Sequence, residues 1–185
     1  MSITIFYTMV IVVGLIVLSI LWLLYSISSC LSIGRRSAPY VPISESTVGP
    51  IVDLLNPPNG SVIYDLGCGD ARVLIECARR FPDVKCVGVD RHGYPLILAW
   101  VRSRLAKLQG RVRLVKADVF SVDLSSATHI YTYLFPAFME ELLPKLEKEL
   151  RPGTILVACD FPLSRKTPEK KFDAEGDHRL YVYRF

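Results

Sequence analysis

The chain has 185 residues and a formal net charge of +4, from 22 basic and 18 acidic side chains. This length allows one globular domain with a short appendage, and so mild a charge does not by itself indicate a nucleic-acid-binding protein. No charged residue precedes Arg35, so an apolar leader of different composition opens the chain. The five cysteines include no C-x-x-C pair and no histidine at metal-ligand spacing. The sequence therefore predicts no metal site and a reducing compartment.

The leader predicts one transmembrane helix. Residues 3–27 are almost entirely apolar, and as a helix they would extend about 37 Å. This exceeds the roughly 30 Å hydrocarbon core of a bilayer. Arg35 and Arg36 follow the segment and no basic residue precedes it, so the positive-inside rule places the following domain in the cytoplasm. We expect a single-pass membrane protein, with residues 1–27 as the transmembrane part and residues 28–38 as a linker.

Two processing signals are alternatives to a permanent anchor. A cleaved signal peptide would have a basic n-region and a shorter apolar core than this leader. The sequence Ile27-Ser28-Ser29-Cys30 resembles the cleavage box of a bacterial lipoprotein, which would place the domain outside the cell. That location conflicts with the cytosolic cofactor that the motifs below predict. We therefore expect an unprocessed leader, and an acylated Cys30 or a shortened mature chain would contradict this expectation.

Residues 39–185 predict one α/β domain. A first helix, which Ser44 can cap, is expected to run to about Leu55. The pattern then alternates between strands and helices. Strands are predicted at 61–66, 84–89, 112–115, 128–134 and 154–159, helices at 71–81, 94–108 and 137–150, and a closing hairpin at 169–172 and 179–185. Such alternation indicates right-handed βαβ units in a Rossmann-like, mostly parallel sheet with helices on both faces, here with an antiparallel C-terminal strand.

A glycine turn follows the first predicted strand, in the sequence Asp65-Leu66-Gly67-Cys68-Gly69-Asp70. Glycine permits a sharp turn and a close approach of the backbone to a ligand. The spacing is not the G-x-G-x-x-G of dinucleotide-binding folds, and two carboxylates disfavour a phosphate. They suit a ligand with a cationic amino-acid end, such as S-adenosylmethionine. An ordinary strand-to-helix turn is the alternative for a G-x-G sequence considered alone.

Three further features follow the ends of later strands, where open α/β sheets bind ligands. Asp90 ends the second strand and can accept hydrogen bonds from both ribose hydroxyls of a nucleoside. Asp118 ends the third strand and can accept from an adenine amine, with Val119 and Phe120 against the ring. Tyr133-Leu134-Phe135-Pro136 ends the fourth strand, where the transferred methyl group is expected to emerge. The alternative for this last segment is a strand-to-helix junction with proline in the first helical turn.

The domain resembles the seven-stranded S-adenosylmethionine-dependent protein-lysine methyltransferases, of the archaeal broad-specificity and mitochondrial ATP synthase c-subunit types. The resemblance covers about four-fifths of the chain. The matching stretches are Pro39-Tyr40-Val41-Pro42, Tyr64 to Arg72, Pro144 to Gly153 and Leu180-Tyr181-Val182-Tyr183. The chain departs from the family at Ala71, where glycine is usual, and at Ile43, where threonine is common. Its fourth strand is closer to the mitochondrial type. These departures leave the cofactor prediction unchanged and leave the acceptor open.

The resemblance implies transfer of a methyl group from S-adenosylmethionine to a lysine nitrogen of a protein substrate. A mouth lined by Tyr40, Tyr133, Phe135 and Pro136 would favour the neutral amine by desolvation. We predict Tyr40, Tyr133 and Pro136 as catalytic residues. The predicted cofactor-binding residues are Asp65, Gly67, Cys68, Gly69, Asp70, Asp90, Asp118 and Val119. No general base is evident, since His129 is expected to be structural and His92 and His178 are expected at the surface.

Three other functions remain open at this point. A small-molecule or lipid methyltransferase would use the same cofactor residues, and a non-catalytic membrane adaptor could keep only the fold. A nucleic-acid methyltransferase is disfavoured because the Asn/Asp-Pro-Pro-aromatic loop is absent at residues 133–136. Basic residues between the second and third strands could form an RNA patch, although a solvated helix face is the simpler interpretation: Arg102, Arg104, Lys107, Arg111 and Arg113. We therefore expect a protein substrate and no nucleic acid.

Overall fold

The computed structural model describes residues 3–31, 40–175 and 177–185. Contacts divide the chain into two compact units, Met1–Pro39 and Tyr40–Phe185. The first unit contains helix α1, Ile3–Leu31, which continues four residues beyond the predicted end at Ile27. Its segment Ile5–Leu24 is long and apolar enough to cross a membrane, with a mean hydropathy of 2.6, a property that signal sequences share. The remainder of the predicted linker, including Arg35 and Arg36, lies outside the described residues.

The second unit is an α/β domain built on a seven-stranded sheet. Its sheet order is β3-β2-β1-β4-β5-β7-β6. Strands β1 to β5 pair in parallel, and β7 is antiparallel to both of its neighbours, which confirms the predicted mixed sheet. In chain order the elements are α2 (Glu45–Leu55), β1 (Val62–Leu66), α3 (Arg72–Arg80), β2 (Lys85–Asp90), α4 (Gly93–Leu105), β3 (Val112–Lys116), β4 (His129–Thr132), α5 (Pro136–Glu149), β5 (Ile155–Cys159), β6 (Lys170–Ala174) and β7 (His178–Arg184).

Apolar cores lie on both faces of the sheet. Strand β1 lies between β2 and β4, and four of its five residues are buried, as expected for a parallel strand that is covered on both sides. One core receives side chains from α2, α3 and α4, including Ile51, Leu74 and Ala99. The other core receives the apolar side of α5, including Leu142 and Leu146. The helices therefore cover both faces, as predicted.

Most element boundaries lie within a few residues of the predicted ones, and three of the differences have a clear physical cause. Helix α4 ends at Leu105 rather than Leu108, because Lys107 adopts a left-handed conformation with φ of 59°. Strand β4 ends at Thr132, where its pairing with both β1 and β5 stops, so Tyr133 and Leu134 belong to the following loop. Helix α5 begins at Pro136, because the missing N–H and restricted φ of proline are tolerated in the first turn of a helix.

The topology brings the candidate residues together at the carboxyl ends of the parallel strands. Strands β1, β2 and β3 succeed one another in one direction, and β4 and β5 continue on the other side of β1. The chain therefore switches direction between β1 and β4. In open α/β sheets, a crevice for ligands forms at the carboxyl ends of the strands that flank such a switch point.

Candidate active site

The glycine turn is packed tightly between two side chains. Gly67 has φ of +82° and Gly69 has φ of +53°, so both adopt a conformation that L-residues rarely take. A Cβ atom on Gly69 would lie 2.6 Å from Cε2 of Tyr40, and one on Gly67 would lie 2.9 Å from Cδ2 of Leu134. At each position two separate constraints therefore favour glycine: the positive φ of the backbone, and the close approach of a neighbouring side chain. Tyr40, at the start of the domain, and Leu134, in the loop after β4, both pack on this turn.

Asp65 is a buried carboxyl group that forms no ion pair with the residues that the structure describes. Its side chain is 2% exposed at the end of β1, and among the described residues its Oδ1 atom has no hydrogen-bond partner. Burial, followed by the nearby carboxylates of Asp90 and Asp70, raises the pKa of Asp65 well above its usual range. A buried, unpaired carboxylate is costly. This position therefore favours a cationic ligand.

Asp70 already has its own cations. Its Oδ2 atom lies 2.7 Å from an Arg72 nitrogen and 3.2 Å from an Arg102 nitrogen. Burial acts to raise the pKa of Asp70, but hydrogen bonds and charge from Arg72, with the charge of Arg102, lower it overall. Burial and the neighbouring Asp70 carboxylate raise the pKa of the Tyr40 hydroxyl, so Asp70 lies beside the ring that covers Gly69. Its ion pair with Arg72 holds the start of α3.

Asp90 joins the glycine turn to the end of β2. Its Oδ2 atom accepts a hydrogen bond of 3.0 Å from the backbone N–H of Gly69, and its Oδ1 atom accepts one of 2.8 Å from the backbone N–H of His92. Each carboxylate oxygen has a second lone pair, so Asp90 can still accept from two hydroxyls. The residue is thus positioned both to shape the turn and to bind a diol.

The other three predicted cofactor positions, Cys68, Asp118 and Val119, have different surroundings. Cys68 is buried against the second strand, since a Cβ atom on Gly88 would lie 2.8 Å from its sulfur, and burial raises the pKa of its thiol. Its side chain therefore packs in the core, while its backbone N–H donates to the carbonyl of Val89 and fixes the turn to β2. Asp118 accepts a hydrogen bond of 3.0 Å from the N–H of Phe120, and Val119 between them is buried.

Beyond β4 and β5 the structure assembles a group of aromatic rings. Tyr133 stacks on Phe161, with ring centroids 6.1 Å apart, and meets the ring of His178 edge-on at 5.9 Å. Phe135 packs against Phe161 at 5.6 Å. We call these four residues the aromatic chamber. It brings the predicted Tyr133 together with partners from two other segments, whereas Pro136 opens α5 nearby with an exposed ring.

Asp160 adds a carboxylate to the aromatic chamber. Its Oδ2 atom lies 2.8 Å from Nδ1 of His178, and its Oδ1 atom accepts a hydrogen bond of 2.9 Å from the N–H of Arg179. Asp160 has φ of 60°, a strained conformation of the kind found at functional sites. Burial and this carboxylate raise the pKa of Tyr133 to about 12, so the phenol stays protonated.

A cavity of about 510 Å³ opens beside the Asp160–His178 pair, after the carboxyl end of β5 and next to the hairpin of β6 and β7. Three of its lining residues are aspartates. Its walls consist of Asp160, Asp173, Ala174, Asp177, His178, Arg179 and Tyr181. Arg179 pairs with Asp173, but the three carboxylates outnumber this one arginine, so the surface is suited to basic groups.

His178, which the sequence predicts at the surface, is partly exposed and has fixed partners. Its side chain is 19% exposed and is fixed by Asp160 and Tyr133, because the hairpin of β6 and β7 returns the chain to the end of β5. Asp160 and Phe161 were not singled out in the sequence, although they follow a predicted strand as Asp90 and Asp118 do. Donor atoms of Cys159, Asp160 and His178 lie within 4.8 Å of one another, but the hydrogen bond already occupies the His178 nitrogen that faces Asp160.

Comparison with known proteins decides the family. A family model described as the ANTKMT methyltransferase domain matches residues 65–170. The chain belongs to this family. A protein-lysine N-methyltransferase of Saccharolobus islandicus strain REY15A is 36% identical over 148 residues, which cover 78% of this chain and 92% of that protein. The lysine N-methyltransferase of the ATP synthase c-subunit from Mus musculus is 29% identical over 78% of this chain, and the chain spans only 57% of that protein.

Solved structures agree with this assignment. The crystal structure of an RNA methyltransferase from Salinibacter ruber, in complex with S-adenosyl-L-homocysteine, has a TM-score of 0.74 and 31% identity. The match covers 78% of this chain and 93% of that chain. The chain is therefore an S-adenosylmethionine-dependent methyltransferase, which confirms the resemblance seen in the sequence. The unpaired Asp65 and the tight glycine turn fit a cofactor with a cationic amino-acid end.

Proposed function

We propose that this methyltransferase modifies the side-chain amine of a lysine in a protein, and that α1 anchors it to a membrane with residues 39–185 on the cytoplasmic side. The observation that carries the choice of acceptor is the aromatic chamber with Asp160 at its edge. Aromatic faces and a carboxylate together suit an ammonium group, and the acidic cavity beside them suits a basic polypeptide segment.

The proposed cofactor residues follow or end three strands, and each strand end binds a different part of the ligand. We assign the cationic amino-acid end to Asp65 rather than Asp70, because Arg72 and Arg102 already neutralise Asp70. The backbone from Gly67 through Cys68 to Gly69 lines the same end of the ligand. Asp90 accepts from the ribose hydroxyls. Asp118 and Val119 border the adenine, with the Phe120 ring stacked on Phe138 beside them.

The bound cofactor supplies an electrophilic methyl group, and the residues of the chain orient and deprotonate the acceptor. A lysine amine has a reference pKa of about 10.4 and must lose a proton before it can attack. Asp160 attracts the ammonium, the Asp160–His178 pair can accept the proton, and the rings of Tyr133 and Phe161 disfavour the charged form by desolvation. Tyr40 and Pro136 shape the opposite walls of the mouth. Proximity and orientation can supply about 7 to 11 kcal/mol of the barrier reduction.

RNA is a second candidate acceptor, favoured by the similarity to the Salinibacter ruber RNA methyltransferase and by the basic residues around α4. The charge of the acceptor side argues against it. Asp160, Asp173 and Asp177 line the cavity beside the aromatic chamber, and carboxylates repel a phosphate backbone. A lipid acceptor would need an apolar channel rather than an acidic cavity. Lysine therefore agrees best with the charges present.

Transfer of a labelled methyl group tests the acceptor class. The full chain in its native membranes is incubated with methyl-labelled S-adenosylmethionine, and the label is then measured in the separated protein, lipid and RNA fractions. We expect acid-stable label in protein, which is lost in the Asp160→Asn variant and kept in Asp53→Asn, a control on the exposed side of α2. Label confined to lipid or RNA would refute the lysine proposal and leave the methyltransferase assignment intact.

A further inference from the structure

Helix α4 exposes an apolar face to solvent. Leu105 is 80% exposed, Ile97 is 62% exposed and Tyr94 is 61% exposed, with Trp100 and Val101 between them. The spacing of these five residues, which we call the α4 face, places them on one side of a helix. The opposite side buries Ala99 and Ser103 against the sheet. Helix α4 therefore packs one side on the sheet and presents large apolar side chains on the other side as well.

This exposure is concentrated on one helix. The described part of the domain exposes eight large apolar side chains, and five of them form the α4 face. Scattered exposed apolar residues are ordinary, whereas a contiguous group of them marks an interaction site. The α4 face therefore needs a partner.

Positive charge surrounds the α4 face. Residues 93–117 contain no acidic residue and six basic ones. Arg102 is already paired with Asp70 and Glu45, which leaves five: Arg104, Lys107, Arg111, Arg113 and Lys116. The guanidinium of Arg104 lies over the Trp100 ring, 4.4 Å from its centroid. Arg113 and Lys116 are exposed on the adjoining edge strand. The partner is therefore apolar where it meets the helix and anionic around it.

We propose that the α4 face inserts into the interfacial layer of an anionic lipid bilayer. Tyr94 and Trp100 are side chains that favour this layer, Ile97 and Leu105 would enter the acyl region, and the basic residues would meet lipid phosphates. The inference rests on the proposed membrane anchor. Eight residues separate Leu31, the last residue of α1, from Tyr40, and they can span at most about 30 Å.

RNA and a second copy of the chain fit the α4 face less well. RNA would engage the aromatic ring and the basic side chains, but it offers nothing to the two most exposed aliphatic side chains, Leu105 and Ile97. A second copy would bring Arg104 and Lys107 close to their own counterparts, and like charges across an interface repel. A bilayer satisfies both the apolar and the basic groups. Since α4 begins three residues after Asp90, docking would hold the cofactor edge of the domain near the membrane surface.

The two tryptophans of the chain, Trp22 and Trp100, allow a direct test. In a Trp22→Phe background, Trp100 is the sole tryptophan and reports on the α4 face. The full chain is reconstituted into vesicles of phosphatidylcholine and phosphatidylglycerol, with and without bromine on the acyl chains. We expect the Trp100 emission to shift to shorter wavelength and to be quenched by the brominated lipids. A Leu105→Glu change should abolish both effects, whereas Phe172→Glu, at the opposite edge of the sheet, should preserve them.

Separate outcomes distinguish the docking proposal from the anchor on which it rests. If the chain does not float with the vesicles, the membrane anchor itself is wrong. If it floats but Trp100 stays in water and unquenched, the anchor stands and the docking proposal is refuted. A Trp100 signal that responds to an added RNA hairpin rather than to brominated lipid would also refute it, as would quenching that depends on the protein-to-lipid ratio in the manner of self-association.

Discussion

Asp65 is expected to lower the stability of the cofactor-free chain and to bind the cationic end of the cofactor. Because its folded-state pKa is raised, the contribution of this group to stability is fully present below its unfolded value of about 4 and is lost as pH rises through the folded pKa. The cofactor-free chain should therefore lose stability over that pH range. Asp65→Asn should remove this slope and raise the free energy of unfolding at neutral pH by about 1 to 3 kcal/mol, while abolishing S-adenosylmethionine binding.

Denaturant unfolding of the cofactor-free chain across pH, with calorimetric cofactor titration, measures both effects of the Asp65→Asn change. The control is Asp53→Asn, which removes an exposed carboxylate paired with Arg80. It should change the free energy of unfolding by less than about 1 kcal/mol and leave cofactor binding unchanged. An Asp65→Asn variant that binds the cofactor normally, or that unfolds with the pH dependence of the original chain, would contradict the assignment of the cationic end to Asp65.

Asp160 is expected to act on the acceptor and not on the cofactor. Asp160→Asn should lower kcat/KM for the protein substrate by about 100-fold and leave the Kd for S-adenosylmethionine unchanged. Because the variant cannot attract and deprotonate the ammonium, its defect should shrink as pH rises toward the pKa of lysine. Steady-state kinetics across pH check this expectation. A defect that is equal at every pH would indicate a merely structural role for the Asp160 side chain.

At the scale of the element, Ala71 carries local strain before α3. It is the N-cap of that helix with φ of 59°, a conformation that costs a residue with a Cβ atom about 1 kcal/mol. Ala71→Gly should therefore raise the free energy of unfolding by about that amount. Thermal unfolding of the full chain in detergent, with Ala78→Gly in the last turn of α3 as the destabilising counterpart, measures it. A lower midpoint for Ala71→Gly would contradict the strain.

The elements themselves could largely be predicted from the sequence, because local patterns dictate them. The buried run of β1 and the apolar spacing of α3 are visible without a structure, as is the glycine turn that joins them. The acceptor side could not be predicted in the same way. The contact of His178 with Tyr133 depends on the hairpin of β6 and β7 pairing with β5, and no local pattern encodes which strand edge the hairpin selects. Charge pairing was equally hidden, since Arg102 reaches Asp70 from another helix.

At the scale of the whole molecule, two opposite edges of the domain carry opposite character. The basic α4 face lies by β3 at one edge of the sheet, and the acidic cavity lies by β6 and β7 at the other. An anionic bilayer would attract the first and leave the second for a basic substrate. Raising the salt concentration should therefore weaken both membrane docking and substrate binding, because surface charges are screened beyond a Debye length of about 8 Å at physiological ionic strength. Vesicle binding and KM measured against salt check this.

The central claim is that the chain transfers a methyl group to a lysine of a protein through the aromatic chamber. Tandem mass spectrometry of membrane proteins is the most direct test, after incubation of the full chain with S-adenosylmethionine and, in parallel, of the Asp160→Asn variant. We expect the mass increase of a methyl group on a lysine nitrogen with the original chain, and its loss with the variant. Methylation found on another residue type, or equal lysine methylation by both proteins, would contradict the account.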